Sequence, residues 1–199
     1  MSADSDIIRR SIEIPSAFAE LFERHAKVIG AFAARRIGRE AAQDIVSETF
    51  LVAFRRRRDY DTSWESARPW LLGIASRLIG KHRGREAAQW RAFEASAGGA
   101  VTSSDGAIDE AAMRTDAAAA LQRLAPRIAA LSARDRDTLL LYAWGDLTYE
   151  QIAAAQGIPV GTVRSRLNRV RRKLSDAGTG PTSTWMKKEE ADGRLGSRA

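Results

Sequence analysis

From Gly161 to Lys173 the chain carries six basic residues and no acidic one. Val160, Val163, Leu167, Val170 and Leu174 recur there at alternating three- and four-residue spacing, which gathers them into one buried seam of an α-helix. Thr162, Arg164, Ser165, Arg166, Asn168, Arg169, Arg171, Arg172 and Lys173 are left on the other faces. Guanidinium and ammonium groups arranged this way pair with phosphate, and an arginine near the helix start can also grip a guanine edge bidentately. Arg164 is placed for such a base contact, worth about 1–3 kcal/mol of discrimination. Arg171, Arg172 and Lys173 lie further along and suit phosphates. A merely solvated helix face usually mixes charge signs, and this one does not.

Material for catalysis is poor. The chain has two histidines and no cysteine. His25 falls on an apolar stripe and reads as a core histidine with a hydrogen-bond partner. His82, between Lys81 and Arg83, reads as a solvent or DNA contact. No glycine loop suited to phosphate and no metal-ligand spacing is found, so we expect neither catalysis nor a cofactor nor a metal site. Lys and Arg number 32 against 25 Asp and Glu, a net charge of +7 that favours a polyanionic partner. The cysteine-free composition suits a reducing cytoplasm. The first residues lack the unbroken apolar run of a signal peptide, and nothing approaches a membrane span, so a cytoplasmic protein without membrane insertion is expected.

The elements that position the basic face are helical. Thr148 with Gln151 forms a capping-box pattern, and Gly157-Ile158-Pro159 breaks the first helix before the basic one begins. Helix, tight turn, helix with a basic outer face is the geometry that enters a major groove. Upstream, Phe18, Leu21, Phe22, His25, Val28, Ile29 and Phe32 make a second helical stripe, with a start signal at Pro15-Ser16 and a stop at Gly38. Ala42, Ile45, Val46, Thr49, Phe50 and Ala53 form the inward face of a third helix, closed by Arg55 to Arg58. A fourth opens near Pro69, burying Leu71, Ile74, Ala75 and Leu78. Strand alternation is missing, so the fold class is all-α. The expected organisation is an N-terminal extension (1–15), a helical domain (16–93), a flexible glycine-rich linker (94–125), a helix-turn-helix domain (126–177) and a disordered tail (178–199).

Leu147 to Leu167, and above all Pro159 to Arg166 (PVGTVRSR), resembles region 4 of extracytoplasmic-function (ECF) sigma factors, RNA polymerase subunits of the sigma-70 family. Leu131 to Leu141 is similar to the helix leading into that region. Gln43 to Phe50 (QDIVSETF) resembles region 2.2, and Arg68 to Ala75 (RPWLLGIA) the junction of regions 2.3 and 2.4. Ser47 stands where the family usually has glutamine, and Ser76-Arg77 where arginine-asparagine is common.

The resemblance implies a sigma factor that binds core RNA polymerase and directs initiation at promoters with −35 and −10 elements, helping to melt the latter. It implies docking on the clamp coiled coil of the largest polymerase subunit through Asp44, Ser47, Glu48 and Leu51. The loop from Tyr60 to Arg68 would capture a flipped base of the −10 element, with Tyr60 and Trp64 as an aromatic wall, since base flipping has a stacking cost that such a wall offsets. Arg68, Arg77, Lys81 and Arg83 would line the single strand, and Trp70 reads as core. Thr162, Arg164, Ser165, Arg166, Asn168, Arg169 and Arg172 would meet the −35 element. An anti-sigma factor is a further partner the family implies. The alternative is a stand-alone helix-turn-helix regulator that binds duplex DNA as a dimer.

Overall fold

The computed structural model describes residues 2–97 and 126–175, and of these the side chains of 2–89 and 126–174. They fall into two units, divided between Ala112 and Met113. Every regular element among the described residues is helical, as the apolar periodicity requires.

The first unit contains helices α1 (Asp4–Glu13), α2 (Ala19–Ile37), α3 (Arg39–Arg55) and α4 (Arg68–Ala97), with 3-10 turns at Pro15–Phe18 and Arg57–Asp59. Gly38 separates α2 from α3, the stop its type leads one to expect. Helices α2, α3 and α4 pack on one another pairwise. Leu21, Ile29, Phe32 and Ala33 come from α2; Ala42, Ile45, Phe50 and Ala53 from α3; Leu71, Leu72, Ile74, Ala75 and Ile79 from α4. Each large member contributes about 1.5–3 kcal/mol by leaving water. The anticipated stripes hold in the main: Phe22 stays 45% exposed at the rim of its stripe, its ring edge-on to Phe50 with centroids 4.8 Å apart, and Val28, Val46 and Leu78 are only half-buried, Leu78 beside the buried Ile79.

Residues 1–15, expected as an extension, instead supply α1, whose Ile7 and Ile8 are buried in this unit. Two adjacent apolar residues among charges are too short a pattern to announce a packed helix; burial comes from the partner it finds. Helix α1 packs against α2 and both 3-10 turns. The proposed linker begins later than 94, because residues 94–97 continue α4. Its remainder, 98–125, and the tail, 178–199, lie outside the described residues.

In the second unit residues 126–129 are helical and lead into α5 (Ala133–Ala143), α6 (Tyr149–Gln156) and α7 (Val160–Ser175). Ser132 caps α5, its hydroxyl accepting from the Asp135 amide at 3.2 Å. Thr148 and Gln151 form the full capping box of α6. Gly157 ends α6 at φ 67°, a left-handed conformation that glycine adopts without Cβ strain. The turn from α5 to α6 needs Gly145 for another reason: a Cβ there would lie 2.5 Å from the Leu141 carbonyl oxygen. Val163, Leu167, Val170 and Leu174 form the buried seam of α7, while Val160 at its start is half-buried. Val170 and Leu174 pack with Leu131 and Leu139 in one cluster.

Candidate nucleic-acid interface

Helix α7 enters from the Gly157-Ile158-Pro159 turn and places its basic residues outside the apolar seam, but it uses them in two ways. Arg164, Ser165, Asn168, Arg172 and Lys173 are exposed. Thr162, at the first turn, is half-buried, and its carbonyl accepts from the Ser165 hydroxyl at 3.0 Å. Arg171 donates to Asn168 Oδ1 at 3.1 Å, which couples the two side chains along the outer face.

Arg166 and Arg169, both expected as DNA contacts, reach back instead. The Arg166 Nη1 group donates to Gln156 Oε1 at 3.1 Å and lies 3.5 Å from Thr138 Oγ1, tying α7 to the end of α6 and to α5. Arg169 Nη1 donates to both carboxylate oxygens of Asp135, at 3.1 and 3.3 Å. Asp135 is 2% exposed and Arg169 48%, so the pair straddles the surface of the unit. A buried carboxylate needs such a partner, and the long arginine stem allows it to be supplied from a neighbouring helix. These two arginines therefore fix the angle at which α7 is presented, and the outer face is narrower than the sequence suggests. Arg136 has a similar inward role, donating to the carbonyls of Ile128, Ala129 and Leu131 at the end of the helical segment 126–129.

In the first unit, Asp44, Ser47, Glu48 and Leu51 are all exposed along α3, at the i, i+3, i+4 and i+7 positions of one face. Leu51 is 47% exposed, an apolar side chain at the end of a row that also carries two carboxylates. The partly open Phe22 on α2 borders the same helix through its contact with Phe50, a neighbour the sequence reading placed inside the core.

Between α3 and α4 lies the loop with the expected aromatic wall. Tyr60 is buried, its hydroxyl donates to the Trp64 carbonyl at 2.8 Å, and its ring faces Trp70 with centroids 5.1 Å apart. Burial, reinforced by the negative charges of Asp4 and Asp61, raises its phenol pKa well above the ordinary value. Tyr60 is thus a brace beneath the loop and not an open stacking platform. Trp64 is partly exposed. Trp70, read as core, is half-buried against Tyr60. Arg68 and Arg83 are partly buried, whereas Arg77 and Lys81 are exposed along α4. Burial around its guanidinium, with the like charge of Arg56 adding, lowers the Arg77 pKa. Ser76, where the resemblance departs, is buried and accepts from Arg36 Nη1 at 3.0 Å. His82 Nδ1 lies 3.4 Å from Glu86.

The residue that sequence reasoning missed is Asp4. Its carboxylate is 7% exposed, pairs with His25 Nε2 at 2.7 Å and accepts from Arg24 at 3.1 Å and from the Ala67 amide at 2.9 Å. Burial alone would raise its pKa; the hydrogen bond and charge of His25, the Ala67 amide and Arg24 outweigh it and hold the group at about 2. His25 is thereby the satisfied core histidine its position implied, with a partner no spacing rule would name.

Two family matches follow the same division of the chain. Sigma-70 region 2 matches residues 21–89, and sigma-70 region 4 matches residues 117–174. The ECF RNA polymerase sigma factor SigL of Mycobacterium tuberculosis is 33% identical over 77% of this chain and 84% of its own length. The chain belongs to the ECF sigma-70 family. Another relative of this sigma factor, the RNA polymerase sigma factor CarQ of Myxococcus xanthus, is 31% identical over 80% of this chain and 88% of its own. Among solved structures, CnrH in complex with the cytosolic domain of CnrY superposes with a TM-score of 0.59 at 23% identity, covering 89% of this chain and all of that one. The sigma factor RpoE in complex with the anti-sigma factor NepR from Bartonella quintana gives 0.54 at 22% identity, over 80% of this chain and 94% of that one. These two show the shared fold. The region 2 match begins only at Leu21, so α1 of this sigma factor lies outside it.

Proposed function

We propose that this chain is the promoter-specificity subunit of an RNA polymerase, and that its two units divide the work as the sequence implies. The first, spanning 16–93 together with α1, docks on the clamp coiled coil of the largest polymerase subunit through Asp44, Ser47, Glu48 and Leu51. Trp64 offers the stacking face for an unpaired −10 base, with Arg68, Arg77, Lys81 and Arg83 along the strand. The second unit, 126–177, reads the −35 element as duplex with Arg164 at a base edge and Ser165, Asn168 and Arg172 beside it. Two weak sites on one chain act together through effective concentration once both are mounted on the polymerase.

The observation that carries this reading is the outer face of α7, which among the described residues is basic without an acidic interruption and is set at a braced angle behind a capped α6. A stand-alone dimeric regulator is not favoured, because it would have no use for a region 2 unit. The protein is a regulator by family and not a catalyst. A cytoplasmic location suits it, and no helix among the described residues is long and apolar enough to cross a membrane. An anti-sigma factor is a fitting partner, as the complexes of CnrH with CnrY and of RpoE with NepR suggest by analogy.

Run-off transcription with purified core enzyme tests the proposal. The wild-type chain should bind core and start transcripts at defined promoters, while Arg164→Ala weakens −35 recognition by roughly tenfold or more, the scale of one base-edge contact, and leaves core affinity unchanged. A wild-type chain without affinity for core refutes the reading, however well α7 grips a duplex.

A further inference from the structure

Helix α1 touches the loop between α3 and α4 at both of its ends. At the far end, the Asp4 amide donates to the Glu65 carbonyl at 3.0 Å. The Asp4 carboxylate receives the Ala67 amide at 2.9 Å, with the Ser66 hydroxyl at 3.4 Å. At the near end, Arg57 Nε donates to the Ser11 carbonyl at 3.2 Å, and Nη1 of the same side chain to the Phe54 carbonyl at 2.6 Å. Its guanidinium lies 4.0 Å from the centre of the Phe54 ring. Asp4 is itself held from α2 by Arg24 and His25, and Arg24 also donates to the Ser2 carbonyl at 2.8 Å.

Between those anchors the loop has little of its own. The Ser63 amide donates to Asp61 Oδ1 at 3.0 Å, the Trp64 amide to the Asp61 carbonyl at 3.2 Å, and the Tyr60 hydroxyl to the Trp64 carbonyl at 2.8 Å. Asp61, Thr62, Ser63, Glu65 and Ser66 are exposed and bring no apolar packing to the loop. The shape in which Trp64 and Arg68 are offered is therefore set chiefly where the loop ends, and one of those settings is a carboxylate from a helix outside the region 2 match. A pocket for an unpaired base loses its selectivity when its wall is displaced by about 1 Å.

We propose that Asp4 is a positioning residue for promoter melting: from α1 it holds the loop Tyr60–Ala67 in the shape that selects the −10 base. This rests on the function proposed above. Helix α1 is then a splint for the reading loop, and Asp4 touches no DNA.

The test uses the full chain with purified core enzyme and compares wild type with Asp4→Asn, Asp4→Ala and His25→Gln. The readouts are core affinity, permanganate reactivity of −10 thymines, base preference on a library randomised at −10 and −35, and amide exchange at Ala67. Asp4→Asn and Asp4→Ala should keep core affinity within about twofold and keep the −35 preference. They should lose roughly tenfold in −10 discrimination and speed exchange at Ala67 by a similar factor, the scale of one charge-assisted hydrogen bond. His25→Gln, which retains a donor toward the carboxylate, should keep most of the −10 preference. The proposal is overturned if the Asp4 variants retain the wild-type −10 profile, or if −10 selection, −35 selection and core affinity fall together with the folded fraction. It is equally overturned if Ala67 loses protection while base preference is unmoved. Failure of the wild type to bind core sinks the underlying function instead, and is seen before any variant is compared.

Discussion

Asp4→Asn removes one charge from a buried site and leaves the shape of the side chain, so its effect on folding can be worked from the structure. The carboxyl moves from 3.8 to about 2 on folding. Each unit is 1.36 kcal/mol, so the ionised group contributes about 2 kcal/mol to the first unit. A depressed folded-state pKa stabilises above the unfolded value, and that contribution disappears as pH falls through the folded one. At pH 7 the variant should therefore be about 2 kcal/mol less stable than wild type. The gap should narrow between pH 4 and pH 2, the window set by the two pKa values, and close near the lower limit. Urea denaturation across that range, followed by amide exchange in α1 to α4 to separate this unit from the other, measures it. A gap that is constant with pH, or missing at pH 7, would show that the ionised carboxylate is not what binds α1 to α2 and to the loop before α4.

Two further substitutions test packing elsewhere. Arg169→Ala leaves Asp135, 2% exposed, without its ion partner, and should cost the second unit about 2–3 kcal/mol, seen as faster exchange in α5 and α7; any loss of duplex affinity should then follow the folded fraction, whereas a loss of affinity at full stability would make Arg169 a direct contact. Thr49 is fully buried on α3 and its hydroxyl has no hydrogen-bond partner among the described residues, so Thr49→Val should stabilise the first unit by about 1 kcal/mol in the same denaturation assay, with unchanged or lower stability counting against it.

Much of the second unit was legible because its signals are local. A capping box spans Thr148 to Gln151, and the seam of α7 repeats every three or four residues. Both are decided within one or two helical turns, where the backbone itself sets which side chains meet. The same holds for Gly38 and for the buried faces of α3 and α4. The acidic face of α3 was readable for that reason too: once Ile45 and Phe50 point inward, Asp44, Ser47, Glu48 and Leu51 cannot.

What amino-acid order alone determined was thus the all-α class, the two helical blocks, the basic outer face of α7 and the family likeness at residues 43–50, 68–75 and 147–167. Tertiary packing decided which arginines of α7 remain available, since Arg166 and Arg169 find acceptors on α5 and α6 that no spacing along α7 reveals. It also turned Tyr60 under its loop and made a working helix of the first residues. Asp4 is 63 positions from Ala67 and 21 from His25, and hydrogen bonds across such separations leave no periodic trace in a sequence. They exist because folding brings a carboxylate that has lost its water to the donors nearest in space, and those donors are chosen by the packing of α1 and not by its order of residues.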